Sequence, residues 1–382
     1  NWQWLRKQDF TKISGISAYN PWMEEKLFLP DRDDFAAYIT PTIGNFGPGP
    51  CGFTNNPGTA LSKDLADCFF MTNQQNQIRV FKFLPKGASF KFEELKPIKG
   101  GIGNTGLAIG PDGALYSASW GSGKGFIFRF DTESEKDHHP ARAETQKRLG
   151  LASKEQAIDT LAMWLDSPDQ RVRMKAQFEL VRRGDQGLKA FEEKLDSGTL
   201  LGQLHAVWGI GMASRKDSSK LDLLRNAWTS KNAEVIAQAA KVSGDLGKPS
   251  EKYKEELING LDHDNDRVKF FSAIALGNNK IKGASEKIVN LISGPGSKDP
   301  YLRHAGSMAM SGSMSADEIA ALSNHPNKSV KLAAIVAMRR TAAPEIRAFL
   351  KDADELILLE AARAIHDDQS IPEALPDLAA LL

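Results

Sequence analysis

Between Arg171 and Asp368 one pattern recurs seven times: a polar turn, an aliphatic residue, then a helix-forming run rich in small residues. The copies read RVRMKAQFEL, LGQLHAVWGI, AEVIAQAAKV, RVKFFSAIAL, YLRHAGSMAM, SVKLAAIVAM and LILLEAARAI. Their aliphatic position falls at Val172, Gly202 (the weakest copy), Val235, Val268, Leu302, Val330 and Ile357, at intervals of 30, 33, 33, 34, 28 and 27 residues. Such a period signals stacked helical repeats, in which no unit can bury its apolar face without a neighbour. It predicts an α-helical repeat solenoid over 153–382. A stack of that kind is a surface and a spacer, so chemistry is expected outside it.

Residues 38–131 follow a different grammar. Short runs rich in Val, Ile, Phe and Tyr are punctuated by Gly, Pro and Asn, as strands are. The strands are expected at 38–43, 51–55, 68–73, 77–84 and 89–95, then at 105–109, 114–119 and 125–130. Alternation of apolar and charged residues in IRVFKF and FKFEEL marks half-buried strands, and Pro111-Asp112-Gly113 is a tight turn. The runs superpose as one set of four and one of three, the layout of β-propeller blades. The run at 38–43 reads as the orphan fourth strand of a preceding blade. The fold class is therefore multidomain β + α, a partial β-propeller of about one and two-thirds blades followed by the solenoid. Since a propeller needs at least four blades, the remaining blades are expected from a longer polypeptide. Residues 1–37 read as an aromatic-rich excursion packed on the propeller, 38–131 as C-terminal blades, and 132–152 as a charged linker and first helix approach. Ser153 is the expected N-cap of a helix over 153–166, and SIPEALPDLAALL opens a further unit.

Net charge is +1, from 49 basic and 48 acidic residues, so no general field draws in nucleic acid or an anionic membrane. No run of about 18 apolar residues is present, and no membrane span is expected. The chain opens at Asn1 without a charged-then-apolar leader, which fits a removed signal peptide or a section of a larger protein. Cys51 and Cys68 are the only cysteines. As the first residues of two adjacent antiparallel strands they would lie on the order of 15 Å apart, too far for a disulfide. There is no C-x-x-C-H for haem attachment and no zinc spacing.

Beyond these patterns, the blocks NNPGTAL, GPDGALYSASWGSGKGFIFRF, RVRMKAQFELVRRG, HAVWGIG, RVKFFSAIALG, PYLRHA and EAARAIHDDQSIPEALPDLA resemble one family from about Pro21 onward. It is the large exported "membrane-bound dehydrogenase" type proteins of planctomycetes, verrucomicrobia and bacteroidetes. The resemblance implies a propeller like that of quinoprotein sugar dehydrogenases, then HEAT repeats, then often a c-type cytochrome domain. It implies pyrroloquinoline quinone (PQQ) and haem c in a full-length parent, a periplasmic or outer-membrane-associated location, and a cytochrome domain or outer-membrane complex as partner. This chain would supply closing blades and a spacer or docking surface. The alternative is a non-catalytic scaffold that binds a glycan or a protein complex. Two loops depart from the family pattern: QQNQ after FFMTN is short, and Ser119 and GSGKG stand where the family has an Asp before the Trp and a longer excursion.

On a propeller, the loops between blades and those between a blade's second and third strands open onto the ligand face. That selects Asn45, Phe46, Gln75, Asn104, Trp120 and Lys124, an indole, amides and a lysine suited to a sugar or a quinone. The same residues also suit turns and rims for folding reasons alone. No general base is legible. GSGKG at 121–125 lacks the spacer and the Ser or Thr of a phosphate loop and precedes a strand. His138-His139 with Asp137 lacks a third metal ligand in reach, which favours a solvated linker. His205, His304 and His366 sit in repeat helices, either lining a surface for a haem domain or bonding a neighbouring turn. Arg173, Lys269, Arg303 and Lys331 share one repeat position. They form a basic stripe unless paired with Asp166, Asp262, Asp299 and Asp352, the reading that the near-zero net charge favours.

Ala176, Ala239, Ala334 and Ala361 share one register, with Ser272 and Gly306 in the same column. Ala334→Leu overpacks that column and is expected to cost roughly 1–3 kcal/mol, whereas Lys328→Leu in the preceding turn costs little. Equal shifts of the thermal midpoint in the two variants would mean that the register is wrong.

Overall fold

The computed structural model describes residues 36–44, 49–73, 77–99, 104–121, 123–247, 249–366 and 371–382. They fall into two compact units, one within residues 43–86 and 90–235, the other within 36–42, 87–89 and 236–382. Most of the excursion expected at 1–37, and Asn45, Phe46 and Gln75, lie outside the described residues.

The first unit opens with two antiparallel sheets. Strands β1 (Pro50–Asn55), β2 (Phe69–Asn73), β3 (Gln77–Lys86) and β4 (Ser89–Lys99) form a four-stranded meander. Strands β5 (Asn104–Ile109), β6 (Leu115–Gly121) and β7 (Lys124–Phe130) form a three-stranded one. The expected sets of four and three are both present. Alternation decides the faces: Phe70, Ile78 and Val80 point one way and are buried with Leu61, Cys68 and Leu115, while Leu107, Ile109 and Phe130 close on the same core. The sheets meet at β1 and β5, where a Cβ on Gly52 would lie 2.8 Å from the Leu107 nitrogen. Only glycine permits that approach. In the β1–β2 register Pro50 is opposite Asn73 and Asn55 opposite Phe69, so Cys51 and Cys68 sit at opposite ends of the pair, and both are free.

The outward faces of the sheets are apolar as well. Phe53, Phe69, Phe81 and Phe83 form a contiguous row with ring centroids 4.7–6.2 Å apart, in which Phe53 is 58% exposed. On the other sheet Trp120 is 76% and Ile127 78% exposed.

Three expectations are corrected. Residues 38–43 form no strand; Tyr38 and Thr40 make their bonds to helices of the second unit instead of to a sheet edge. Residues 132–152 are not simply linker: Ser134 caps a short 3-10 turn at Glu135–Asp137, and helix α1 (Arg142–Gly150) follows. Ser153 opens only a 3-10 turn, and helix α2 (Ile158–Trp164) starts after Ala157. The reason is tertiary: the Arg183 guanidinium takes the carbonyls of Lys154 and Gln156, which a continuous helix would have used internally.

The helical repeats of the first unit are α3 (Gln170–Arg182), α4 (Asp185–Ser197), α5 (Leu200–Ser214) and α6 (Arg225–Trp228). Helix α3 packs on α4 and α5, and α4 on α5. Helix α7 (Ala233–Gly244) carries the boundary between the units. In the second unit, α8 (Lys254–Gly260), α9 (Asp266–Asn279), α10 (Ser285–Ser293), α11 (Pro300–Ser313), α12 (Ala316–Ala320), α13 (Lys328–Thr341), α14 (Glu355–His366) and α15 (Leu375–Ala379) follow. Helices α9, α11, α13 and α14 stack in that order. All seven anchor positions are buried, as is the column of Ala176, Ala239, Ser272, Gly306, Ala334 and Ala361.

A second periodicity runs three residues ahead of the anchors. Asp169, Thr199, Asn232, Asn265, Asp299, Asn327 and Asp354 each accept a hydrogen bond from a backbone N–H two or three residues on, at 2.8–3.2 Å. These are the orphan donors of a helix start. Asp299 also accepts from the Ala88 N–H at 3.0 Å. Asp169 differs from the others in being wholly buried. Asn327→Ala is expected to lower stability by about 1 kcal/mol. Asp169→Ala removes a buried ion-pair partner and is expected to cost about 3 kcal/mol. Urea midpoints of the two variants check the ordering.

Candidate functional site

The described residues of the expected rim do not converge. Asn104 starts β5 and is buried, its Oδ1 accepting from the Ser117 hydroxyl at 3.0 Å while its Nδ2 has no partner. Trp120 pairs with Gly125 and Gly121 with Lys124 across β6 and β7, so the Trp120 and Lys124 side chains leave opposite faces of the sheet. Asn104, by its pairing with Ser119, shares the inner face and not that of Trp120. This arrangement does not fit a quinone held between indole, amide and lysine.

The loops NNPGT and Pro111-Asp112-Gly113 are tied to the helices. In NNPGT, the Asn56 side chain spans its own loop: Oδ1 accepts from the Gly58 and Ala60 N–H groups, and Nδ2 donates to the Ala60 and Leu65 carbonyls. Thr59 donates its hydroxyl to Asp169 Oδ2 at 2.6 Å, and the Gln170 N–H donates to the Pro57 carbonyl at 2.7 Å. Asp169 also accepts from Arg171 Nε and Nη2 at 3.0 and 2.9 Å, and Arg171 Nη1 donates to the Gly110 carbonyl at 2.7 Å. In the Pro111-Asp112-Gly113 turn, Arg142 donates Nε to the Asp112 carbonyl and holds Asp131 through two bonds of 2.8 and 2.7 Å. Gly113 has φ +81°, and a Cβ there would lie 2.5 Å from Arg142 Nε. Burial alone would raise the Asp131 carboxyl, but the bonds from Arg142 and the Thr132 N–H outweigh it and hold the group below its usual range. The same balance, with the Ala114 N–H, Arg129 and Tyr116 as donors, lowers Asp112. His138 faces Asp131 at 3.5 Å and His139 Nδ1 accepts from the Ala141 N–H, so the pair is tied into this junction. No cluster of three or more metal-ligating side chains occurs among the described residues. The junction is a clamp.

Nor does the repeat position after each anchor form an exposed basic stripe. Lys331 pairs with Asp352 at 2.6 Å, as expected. Lys269 pairs with Asp266 at 2.9 Å, while Asp262 holds Lys287 and Asp166 holds Lys194. Arg173 and Arg303 are buried and donate to the Ser167 and Gly296 carbonyls of the preceding turns at 2.6 and 3.1 Å. These side chains tie repeat turns down.

In the second unit the helices hold a piece of irregular chain. Ala36, Ala37 and Pro41 are buried, whereas Ile39, Thr40 and Thr42 are exposed. His304 on α11 meets this segment with both ring nitrogens: Nδ1 donates to the Ala37 carbonyl at 2.8 Å, and Nε2 lies 3.3 Å from the Thr40 hydroxyl. Since a carbonyl only accepts, Nδ1 carries the proton and Nε2 is left to accept from Thr40. The Tyr38 hydroxyl donates to Glu360 Oε2 on α14 at 2.8 Å, and Arg363 holds the other oxygen at 2.9 Å. The Arg339 guanidinium of α13 stacks over the Tyr38 ring, 4.9 Å from its centroid, the geometry of a cation–π contact. Burial, then the Glu360 charge, push the Tyr38 phenol up, so it stays a donor. Ala37 has φ +57°, a left-handed conformation that a residue with a Cβ holds only when its surroundings impose it. Sequence reading singled out His304 but missed Tyr38, Arg339, Glu360 and Arg363. The legible signal was a glutamate, Glu360, inside an otherwise apolar and small-residue register, LILLEAARAI.

No family model matches the chain, and no curated protein matches it. Among solved structures it is similar to Escherichia coli YibA, with 17% identity, a TM-score of 0.38, and coverage of 66% of this chain and 99% of that one. It is also similar to human deoxyhypusine hydroxylase in complex with glycerol, with 16% identity, a TM-score of 0.29, and coverage of 59% and 90%.

His205 on α5 shows what the repeats do with a second histidine. Its Nδ1 donates to Gln177 Oε1 on α3 at 2.7 Å, and its ring meets Trp208 edge-on at 5.0 Å. Burial, and then the Arg173 charge, lower its pKa to about 4, and burial lowers His304 as well. A histidine that is harder to protonate folded than unfolded stabilises the fold fully above its unfolded value of about 6.5. That contribution is lost as pH falls from there through the folded value. Stability is therefore expected to fall between pH 6.5 and 4, and His205→Gln to flatten that slope. Urea midpoints at pH 7 and pH 4.5 measure it.

Proposed function

We propose that the chain is a non-catalytic binding section of a larger exported protein, whose helical repeats receive a polypeptide segment. The observation that carries this reading is the Ala36–Thr42 segment held by α11, α13 and α14. Its recognition has the parts of a peptide site: one aromatic anchor, a buried carboxylate that accepts its hydroxyl, a stacked guanidinium, and a histidine that reads a backbone carbonyl. The expected HEAT character of the repeats agrees with such a surface. No helix among the described residues is long and apolar enough to cross a membrane.

A second reading, the closing blades of a quinoprotein-like propeller, has its own support. Consecutive four- and three-stranded antiparallel sheets meet through their first strands, and both outward faces leave large apolar side chains in water, Phe53 on one and Trp120 with Ile127 on the other. Further blades on either side would cover them. In that parent the quinone, when bound, would accept the substrate's two electrons. The described residues supply no converging set for it, so in this reading the group rests on the remaining blades, and a cytochrome domain is the electron-accepting partner.

The binding reading is tested on the full chain carrying Tyr38→Ala, which removes the resident anchor. A fluorescent peptide of sequence AAYITPTIG is expected to bind, the same peptide with Phe for Tyr at least 10-fold more weakly, and neither when Glu360→Ala is added. Absence of binding by the tyrosine peptide sinks the proposal.

A further inference from the structure

We infer that residues 36–42 are a resident pseudo-ligand. The segment occupies in cis the helix surface that an incoming chain bearing a small-small-aromatic sequence would use, and an external partner must displace it. This deepens the binding reading and rests on it. Three observations point from packing alone to occupancy. The contacts are those of recognition, since the segment gives the helices one backbone carbonyl, two hydroxyls and one aromatic ring: His304 takes the Ala37 carbonyl and the Thr40 hydroxyl, Glu360 the Tyr38 hydroxyl and Arg339 the Tyr38 ring. The segment forms no strand or helix of its own, so nothing internal to it maintains its shape. It is also strained, because Ala37 sits at φ +57° with its side chain buried. An unstrained competitor, with glycine at the corresponding place, escapes that cost.

The polar partners set the chemistry of the competitor. Glu360 is buried and already shares one oxygen with Arg363. Its other oxygen accepts from the Tyr38 hydroxyl at 2.8 Å, a bond that a phenyl ring cannot make. A phosphorylated tyrosine would bring its dianion against that carboxylate and be rejected. The partner is therefore a chain with an unmodified tyrosine preceded by two small residues. Occupancy in cis makes the surface weak toward such a chain until the segment leaves, because only the unoccupied fraction binds.

The test compares wild type with two variants that release the segment by different means. Tyr38→Ala removes the anchor, and Ala37→Ile places a β-branched side chain at a buried, left-handed position. Each is titrated with the fluorescent AAYITPTIG peptide and with a version carrying Gly at its second position. Both variants are expected to bind at least 10-fold more tightly than wild type, and the glycine peptide more tightly than the parent in all three proteins. A tyrosine-phosphorylated peptide should not bind. Circular dichroism confirms that each variant keeps its helices. Equal affinity for wild type and variants would overturn the inference while leaving the binding reading intact. Failure of every protein to bind would overturn both.

Discussion

Each repeat is organised by a coupled pair, a capping side chain and the buried anchor three residues behind it. The cap satisfies the first free N–H groups of the helix, and the same turn delivers the anchor into the core. Neither half suffices alone: an uncapped helix start frays, and an anchor without a fixed start has no register. The weakest copy shows the economy of the device. Thr199 caps α5 at 3.2 Å while the anchor position is Gly202, and neighbouring residues Leu204, Ala206, Val207 and Ile210 bury the helix instead.

At the first repeat the cap has been recruited for a second task. Asp169 starts α3 like its counterparts, but it also takes the Thr59 hydroxyl and the Arg171 guanidinium while fully buried. A carboxylate in that position is tolerable only because all its lone pairs are occupied. Together with Arg142, which joins the Asp112 turn to Asp131, it fixes the sheet loops to the first helices. The sequence blocks NNPGT and PDG therefore do structural service.

The second unit uses the same vocabulary, a buried carboxylate with a guanidinium on one oxygen, to hold a segment that belongs to no repeat. His205 is used up by Gln177 on the adjacent helix, whereas His304 turns its two nitrogens to residues 37 and 40. The difference lies in what is opposite, not in the histidines.

Much of this was legible in the chain itself. Period and small-residue column fixed the buried positions of the repeats, because only one helical face can be shared with a neighbour. The division into four and three strands followed from alternation and turn chemistry, and the separation of Cys51 and Cys68 from strand length alone. What the tertiary structure decided were interactions between residues distant in sequence. Residues 38–43 have strand-like composition, yet Tyr38 finds Glu360 and the segment lies on helices. Ser153 is a good capping residue, yet Arg183 takes the carbonyls its helix would need. Lys269 and Arg303 share a column, yet one pairs within its helix and the other is buried on a turn carbonyl. Local patterns encode which face is apolar and where an element starts. Which partner satisfies a given polar group depends on what three dimensions bring within about 3 Å of it, and no periodicity records that.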